Sequence, residues 1–222
     1  MVALKTFENL KEERKQEIIK ASLEEFAMNE YQTASLSNII KKLGLAKGSF
    51  YRYFESKQSL YFYLLDHCIN LRLKNDQKYI TKEPDDFFDL MLLHIQSKIR
   101  FDQSQPLASI FFYNVLQERN SEELGNIRYI SKQKALDIME SLIDGFVQKG
   151  QLRNDIDKKL LAWSVFESVL SFMNYIEHGF QQDFGENSRT LGKLYDMEES
   201  KLMEIARQFV EIQKNGISNK NE

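Results

Sequence analysis

Apolar residues recur at helical spacing through most of this chain. The clearest case is Leu36, Ile39, Ile40 and Leu43, which fall at i, i+3, i+4 and i+7 and so share one helix face. Ser35 precedes that run and offers an oxygen to its free N–H groups. Gly44 ends it, because glycine enters the left-handed conformation without a Cβ penalty. After Leu45 and Ala46, a second helix is predicted from about Lys47 to Phe54, with Phe50 and Phe54 on its apolar face. Two short helices joined by a glycine-containing turn form a helix-turn-helix pattern. Upstream, Ile19, Leu23, Phe26 and Ala27 mark a bracing helix from about Leu10 to Asn29. Downstream, Tyr61, Leu64, Leu65 and Cys68 give an apolar face to a helix from Ser56 to about Lys74.

Beyond Pro84 the period stays helical, with helices predicted near 84–102, 106–119, 127–149, 156–179 and 196–214. Pro84 and Pro106 stand where two of them begin, a position that tolerates a missing N–H. The 156–179 helix is apolar nearly all round and must bury more than one side. The 196–214 helix carries a single stripe of Leu202, Ile205, Ala206, Phe209 and Ile212. No strand-like alternation of useful length and no internal repeat is present. The polar tail NGISNKNE is predicted to fray. The expected fold is therefore all-α.

The polar residues of the second short helix carry the chemistry. Lys47 and Arg52 can neutralise phosphates or donate to guanine edges. Tyr51 and Tyr53 offer hydroxyls to phosphate and rings to thymine methyls. Gly48 removes a side chain where a backbone would lie against a duplex, and Ser49 stays on the outside. Lys57 falls in the first turn of the next helix, whose free N–H groups form an anion site.

The run IIKKLGLAKGSFYRYFESKQSL resembles the DNA-binding signature of the tetracycline-repressor (TetR) family of bacterial regulators. Ile39, Gly44, Gly48, Tyr51, Phe54, Lys57 and Leu60 match, as do Phe26, Asn29 and Tyr31 just before. Ala46 stands where the family usually has Ser or Thr, Tyr53 where His is frequent, and Arg52 at a variable position. Those departures bear on the operator sequence rather than the class. The resemblance implies DNA contacts from Ser35, Ser37, Lys47, Gly48, Ser49, Tyr51, Arg52, Tyr53 and Lys57. It also implies a DNA-binding head over 1–57 and a helical body over 58–216 that binds an effector and dimerises.

Composition adds limits. The 222 residues are 42% hydrophobic, enough for a sizeable core, and only two prolines interrupt them. No stretch of about 18 apolar residues occurs, so no membrane span is expected. The N-terminal MVALKTFENLKEERK lacks the apolar centre of a signal peptide, which predicts a cytoplasmic protein. The single Cys68 fits a reducing compartment and a buried position. Net charge is −3, but between Ser35 and Leu60 five basic residues face one acid. An acidic body with a locally basic head suits a specific DNA binder.

Catalytic patterns are not visible. His67, His94 and His178 lie far apart, without metal-ligand spacing. No phosphate loop, nucleophile elbow or paired-carboxylate motif appears, so no enzyme, metal or cofactor is expected. In a TetR-like body the aromatic-rich helices would enclose an effector cavity. His94, Phe111, Phe112, Tyr129, Trp163, Phe166 and Met173 are the candidate lining for a small hydrophobic or planar ligand. Phe172, Ile176, Leu202, Ile205 and Phe209 are the candidate dimer contacts. The helix from Ser56 to Lys74 has no Gly/Ser/Pro linker after it begins, so it is expected to transmit a tilt from body to head.

These readings converge on a homodimeric regulator that binds a palindromic operator, a repressor released by a small molecule. The alternative is an architectural or cell-division adaptor that uses the same head and keeps its sites without a ligand switch. A helical ligand-binding bundle with no DNA role would leave the Lys47–Lys57 surface idle.

Overall fold

The computed structural model describes residues 3–82, 84–118 and 122–217. Among the described residues the regular elements are helices, with no strand, as the apolar period predicts. They are α1 (Lys5–Glu8), α2 (Glu12–Met28), α3 (Leu36–Lys42), α4 (Lys47–Phe50), α5 (Lys57–Tyr79) and α6 (Phe87–Ser104). Then follow α7 (Pro106–Gln117), α8 (Ile127–Gln148), α9 (Lys158–Gly179), α10 (Phe184–Thr190) and α11 (Glu199–Ile217). The expected end of the seventh helix at Arg119 and the last five residues of the tail lie outside the described residues. Asn215, Gly216 and Ile217, expected to fray, continue α11, where Ile217 is buried. None of these helices is long and apolar enough to cross a membrane.

Packing divides the chain into two compact units, Met1–Leu73 with Gln105–Arg128, and Lys74–Ser104 with Tyr129–Glu222. In the first, α2 packs on α3 and, more extensively, on α7. Its centre is an aromatic cluster: Tyr61 lies 5.2 Å from Phe26, 5.1 Å from Tyr31 and 5.0 Å from Phe111, ring centre to ring centre. Asn114 of α7 donates its amide to the carbonyl of Ala27 at 2.9 Å, satisfying one of the open acceptors at the end of α2.

In the second unit α11 packs along α6 and against α9. Asp86 caps α6, accepting from the backbone N–H groups of Phe88 (2.8 Å) and Asp89 (3.0 Å). Gln151 reads the same helix start, accepting from the Phe87 N–H at 2.9 Å. Phe87 packs edge-on against Phe146 at 5.3 Å. Asp102 is buried with Lys98 bonded to it at 2.6 Å, and the Tyr195 hydroxyl donates to the same carboxylate.

Burial leaves a titration signature in the first unit. It pushes the Cys68 thiol up to about 12. Burial, with Glu8 and Glu12 nearby, pushes the Tyr63 phenol up to about 12. Tyr31 and Tyr61 are also raised, first by burial and then by Glu123 and Glu118 respectively. A group whose folded pKa is raised stabilises fully below its ordinary value and loses that contribution as pH climbs past it. Those ordinary values are 9.0 for the thiol and 10.0 for the phenols. Thermal midpoints should therefore hold steady to about pH 9 and then fall, and Cys68→Ala should delay the onset. A midpoint unchanged to about pH 11 in thermal scans would contradict this burial.

Candidate nucleic-acid interface

Ser35 caps α3, its hydroxyl accepting from the Asn38 N–H at 3.4 Å. Glu25 of α2 fixes the same corner, accepting from the Ser35 N–H (2.8 Å) and the Asn38 amide (3.3 Å). The far end of α3 closes on Gly44, whose φ of 62° is the left-handed value only glycine adopts cheaply. The Leu45 N–H returns to the Ile40 carbonyl at 3.0 Å and the Gly44 N–H to Lys41 at 3.1 Å, a Schellman closure. Arg14 of α2 donates to the Leu43 carbonyl at 3.1 Å and holds this turn in place.

The recognition segment is shorter than its period suggests. Regular helix covers Lys47–Phe50 and hydrogen-bonded turns carry the chain on to Tyr53. No side chain caps its start at Ala46. Phe50 and Phe54 are fully buried and hold it down. Lys47, Gly48, Tyr51 and Arg52 are exposed, and Ser49 and Tyr53 are half-buried. A Cβ added at Gly48 would meet nothing within 4 Å, so packing inside the chain does not require glycine there. Ser37 is exposed on α3.

Lys57 does something other than wait for a phosphate. Its ammonium donates to the carbonyls of Tyr31 (2.7 Å), Ala34 (3.2 Å) and Gln32 (3.4 Å), and lies 4.4 Å from the centre of the Tyr31 ring. An ammonium has three donors, and the α2–α3 connection takes all of them. The α5 start is closed by Ser56 and Ser59, each side chain accepting from the other's N–H at 3.0 Å.

Sequence periodicity missed the N-terminal turn. Phe7 of α1 is fully buried, 4.8 Å from Phe54 and 5.1 Å from Tyr63 between ring centres. The Leu4 N–H donates to the Tyr53 carbonyl at 3.0 Å, and the Thr6 hydroxyl donates to the Arg52 carbonyl. Leu4, Phe7 and Leu10 fall at i, i+3 and i+6, a repeat too short to mark a helix by periodicity.

The candidate effector residues are divided between the two units. Phe111 and Phe112 belong to the first unit, where Phe111 is fully buried in the aromatic cluster. His94, Tyr129, Trp163, Phe166 and Met173 belong to the second. There Tyr129 and Trp163 are exposed, while His94 and Phe166 are half-buried. Lys132 sits over the Trp163 ring at 4.5 Å. Met173 is buried, with its sulfur 2.8 Å from the Lys98 ammonium. Of the candidate dimer contacts, Phe172, Ile176, Leu202 and Ile205 are buried within the chain itself. Phe209 is half-buried, edge-on to Phe172 at 5.8 Å.

A braced helix-turn-helix with an exposed basic and phenolic face defines a DNA-binding protein of the all-α regulator class. Residues 18–64 match the family model of "Bacterial regulatory proteins, tetR family". Over these residues the head of the chain therefore matches the DNA-binding segment of the tetR family of bacterial regulatory proteins. The chain's fold is similar to that of a TetR family transcriptional regulator from Chloroflexus aurantiacus J-10-FL, at TM-score 0.81 and 24% identity over 98% of this chain and 99% of that one. The fatty acid metabolism regulator protein of Bacillus subtilis (strain 168) is 24% identical over 153 residues, 69% of this chain and 78% of that protein. The fold is also similar to that of Bacillus subtilis FadR in complex with stearoyl-CoA. That match has TM-score 0.64 and 18% identity, covering 90% of this chain and 98% of that one.

Proposed function

We propose that the protein is a homodimeric repressor that binds a palindromic operator through residues 1–57 and is released by a small molecule bound within residues 58–216. The observation that carries the reading is the outward face of the recognition segment: Lys47, Gly48, Tyr51 and Arg52 are exposed on a stretch pinned by buried Phe50 and Phe54. Phosphate contacts position such a segment and its base contacts specify the site. Ser35, Ser37, Ser49 and Tyr53 complete the proposed contact set; Lys57 is a brace beneath it. Homodimerisation is supported by apolar side chains left exposed on α9 and α11, Leu160, Trp163, Tyr175 and Ile212. The effector class is a small hydrophobic molecule. The relatives named for fatty acid metabolism and for stearoyl-CoA make long-chain acyl thioesters the first class to test. Such a protein acts in the cytoplasm, by binding rather than by catalysis.

The test is selection of bound sequences from a random duplex pool by the purified protein, followed by titrations on the enriched site. An enriched inverted repeat and a dimer in sedimentation are expected. Tyr51→Phe should weaken operator binding by about 1 kcal/mol through one lost hydrogen bond. Lys47→Ala or Arg52→Ala should relax the preference at whichever base each reads. Gly48→Ala should leave the fold as stable as the parent or slightly more so, yet weaken DNA binding by crowding the duplex. A pool that returns no enriched repeat, together with α4 variants that bind like the parent, sinks the reading.

A further inference from the structure

We propose that Lys5 is a further phosphate-contacting residue of the DNA interface, held beside the end of the recognition segment by the N-terminal turn. The inference rests on the DNA-binding reading of α4 and extends its surface. The two residues flanking Lys5 are both tied to that segment. The Leu4 N–H donates to the Tyr53 carbonyl at 3.0 Å and the Thr6 hydroxyl donates to the Arg52 carbonyl. Lys5 therefore leaves the backbone next to Arg52 and Tyr53, on a turn whose other anchor is the fully buried Phe7. Lys5 itself is exposed.

Several cations of the head are already engaged within the chain. Lys15 reaches Glu8, Lys42 is paired with Glu24, and Arg14 is paired with Glu17 while also holding the Leu43 carbonyl. Lys5 has no ion pair among the described residues, and neither do Lys11, Lys20, Lys41, Lys47 and Arg52; of the first three none is tied by its flanking residues to the recognition segment as Lys5 is. An unpaired ammonium on an ordered turn loses little further backbone freedom when a phosphate binds. A lysine is a point charge on a flexible stem, so the contact it makes is with the phosphodiester backbone and carries no base preference.

The experiment uses the full chain and a mixed-sequence duplex of about 30 base pairs, roughly three helical turns. Affinity is measured over a salt series for the parent, Lys5→Ala, Lys5→Arg and Arg52→Ala, with thermal midpoints recorded alongside. Lys5→Ala should lower the log–log salt slope by about 1 per subunit at an unchanged midpoint, and Lys5→Arg should keep the parent slope. A parent-like slope for Lys5→Ala with a reduced slope for Arg52→Ala overturns this inference and leaves the DNA head standing. Parent-like slopes for both overturn this inference alone, whereas a parent that binds the duplex at no salt concentration overturns the DNA reading and this inference with it. A slope that falls only together with the midpoint also overturns it, because the loss is then one of fold.

Discussion

Phe7→Ala is expected to destabilise the first unit by about 3–5 kcal/mol, the usual cost of emptying a fully buried aromatic site. The ring has no solvent exposure and touches three aromatics, Phe54, Tyr63 and Tyr53, at centre distances of 4.8, 5.1 and 6.3 Å. Phe54 cannot fill the gap without moving, and it is itself the pin under α4. The variant should therefore lose DNA affinity even at temperatures where it stays folded. The Leu4 and Thr6 tethers to Tyr53 and Arg52 depend on the same turn. Urea unfolding read by far-UV dichroism measures the first effect and operator titration in the cold measures the second. A loss of less than about 1 kcal/mol would mean that the turn is not packed in solution, since cavities of this size cost more.

What the sequence makes legible here is periodicity, and what it hides is the partner of each stripe. Leu36, Ile39, Ile40 and Leu43 show a helix because their eight-residue span carries two turns of pattern, and Gly44 marks its end by a conformation only glycine favours. Phe7 has no such repeat, and neither does α10, whose FGENSRT is set by Asp183 accepting from the Glu186 N–H at 2.8 Å. Apolar stripes in α7 and α9 are visible in the sequence, but their neighbours are not. Phe111 reads like any aromatic of the later helices, yet it completes the cluster of Phe26 and Tyr61. Leu202 and Phe172 read as a surface for a second copy and are buried inside one chain, whereas Leu160 and Tyr175 stand outside. Lys57 looks like a phosphate ligand because its spacing fits. Only folding brings the carbonyls of residues 31, 32 and 34 round its ammonium.

The same limit applies to the expected lever. α5 is unbroken from Lys57 to Tyr79, as a rigid transmitter requires. Yet the chain passes between the two units at three points, after Leu73, Ser104 and Arg128. The segment Gln105–Arg128 leaves the second unit and returns to it, and within the first unit it is fastened to the helix-turn-helix. Buried Glu118 is the fastening: its carboxylate accepts from the Tyr31 N–H at 3.2 Å and the Tyr61 hydroxyl at 3.3 Å. Tyr31 is the residue whose carbonyl Lys57 holds, and its hydroxyl donates to Glu123.

Glu118→Ala should therefore strand two buried donors, each costing about 1–3 kcal/mol, and destabilise the first unit by about 2–6 kcal/mol in all. Glu118→Gln keeps an acceptor and the volume, so its cost should be smaller, about 1 kcal/mol. Under the proposed release mechanism, Glu118→Gln should still bind operator and ligand separately. The factor by which each weakens the other should shrink, and by equal amounts in both directions because coupling is reciprocal. Unfolding curves and paired operator and acyl thioester titrations on the two variants decide it. Parent-like stability in Glu118→Ala would refute the buried fastening. Undiminished coupling in Glu118→Gln would assign transmission to α5 alone, the one remaining continuous element that starts beside the recognition segment.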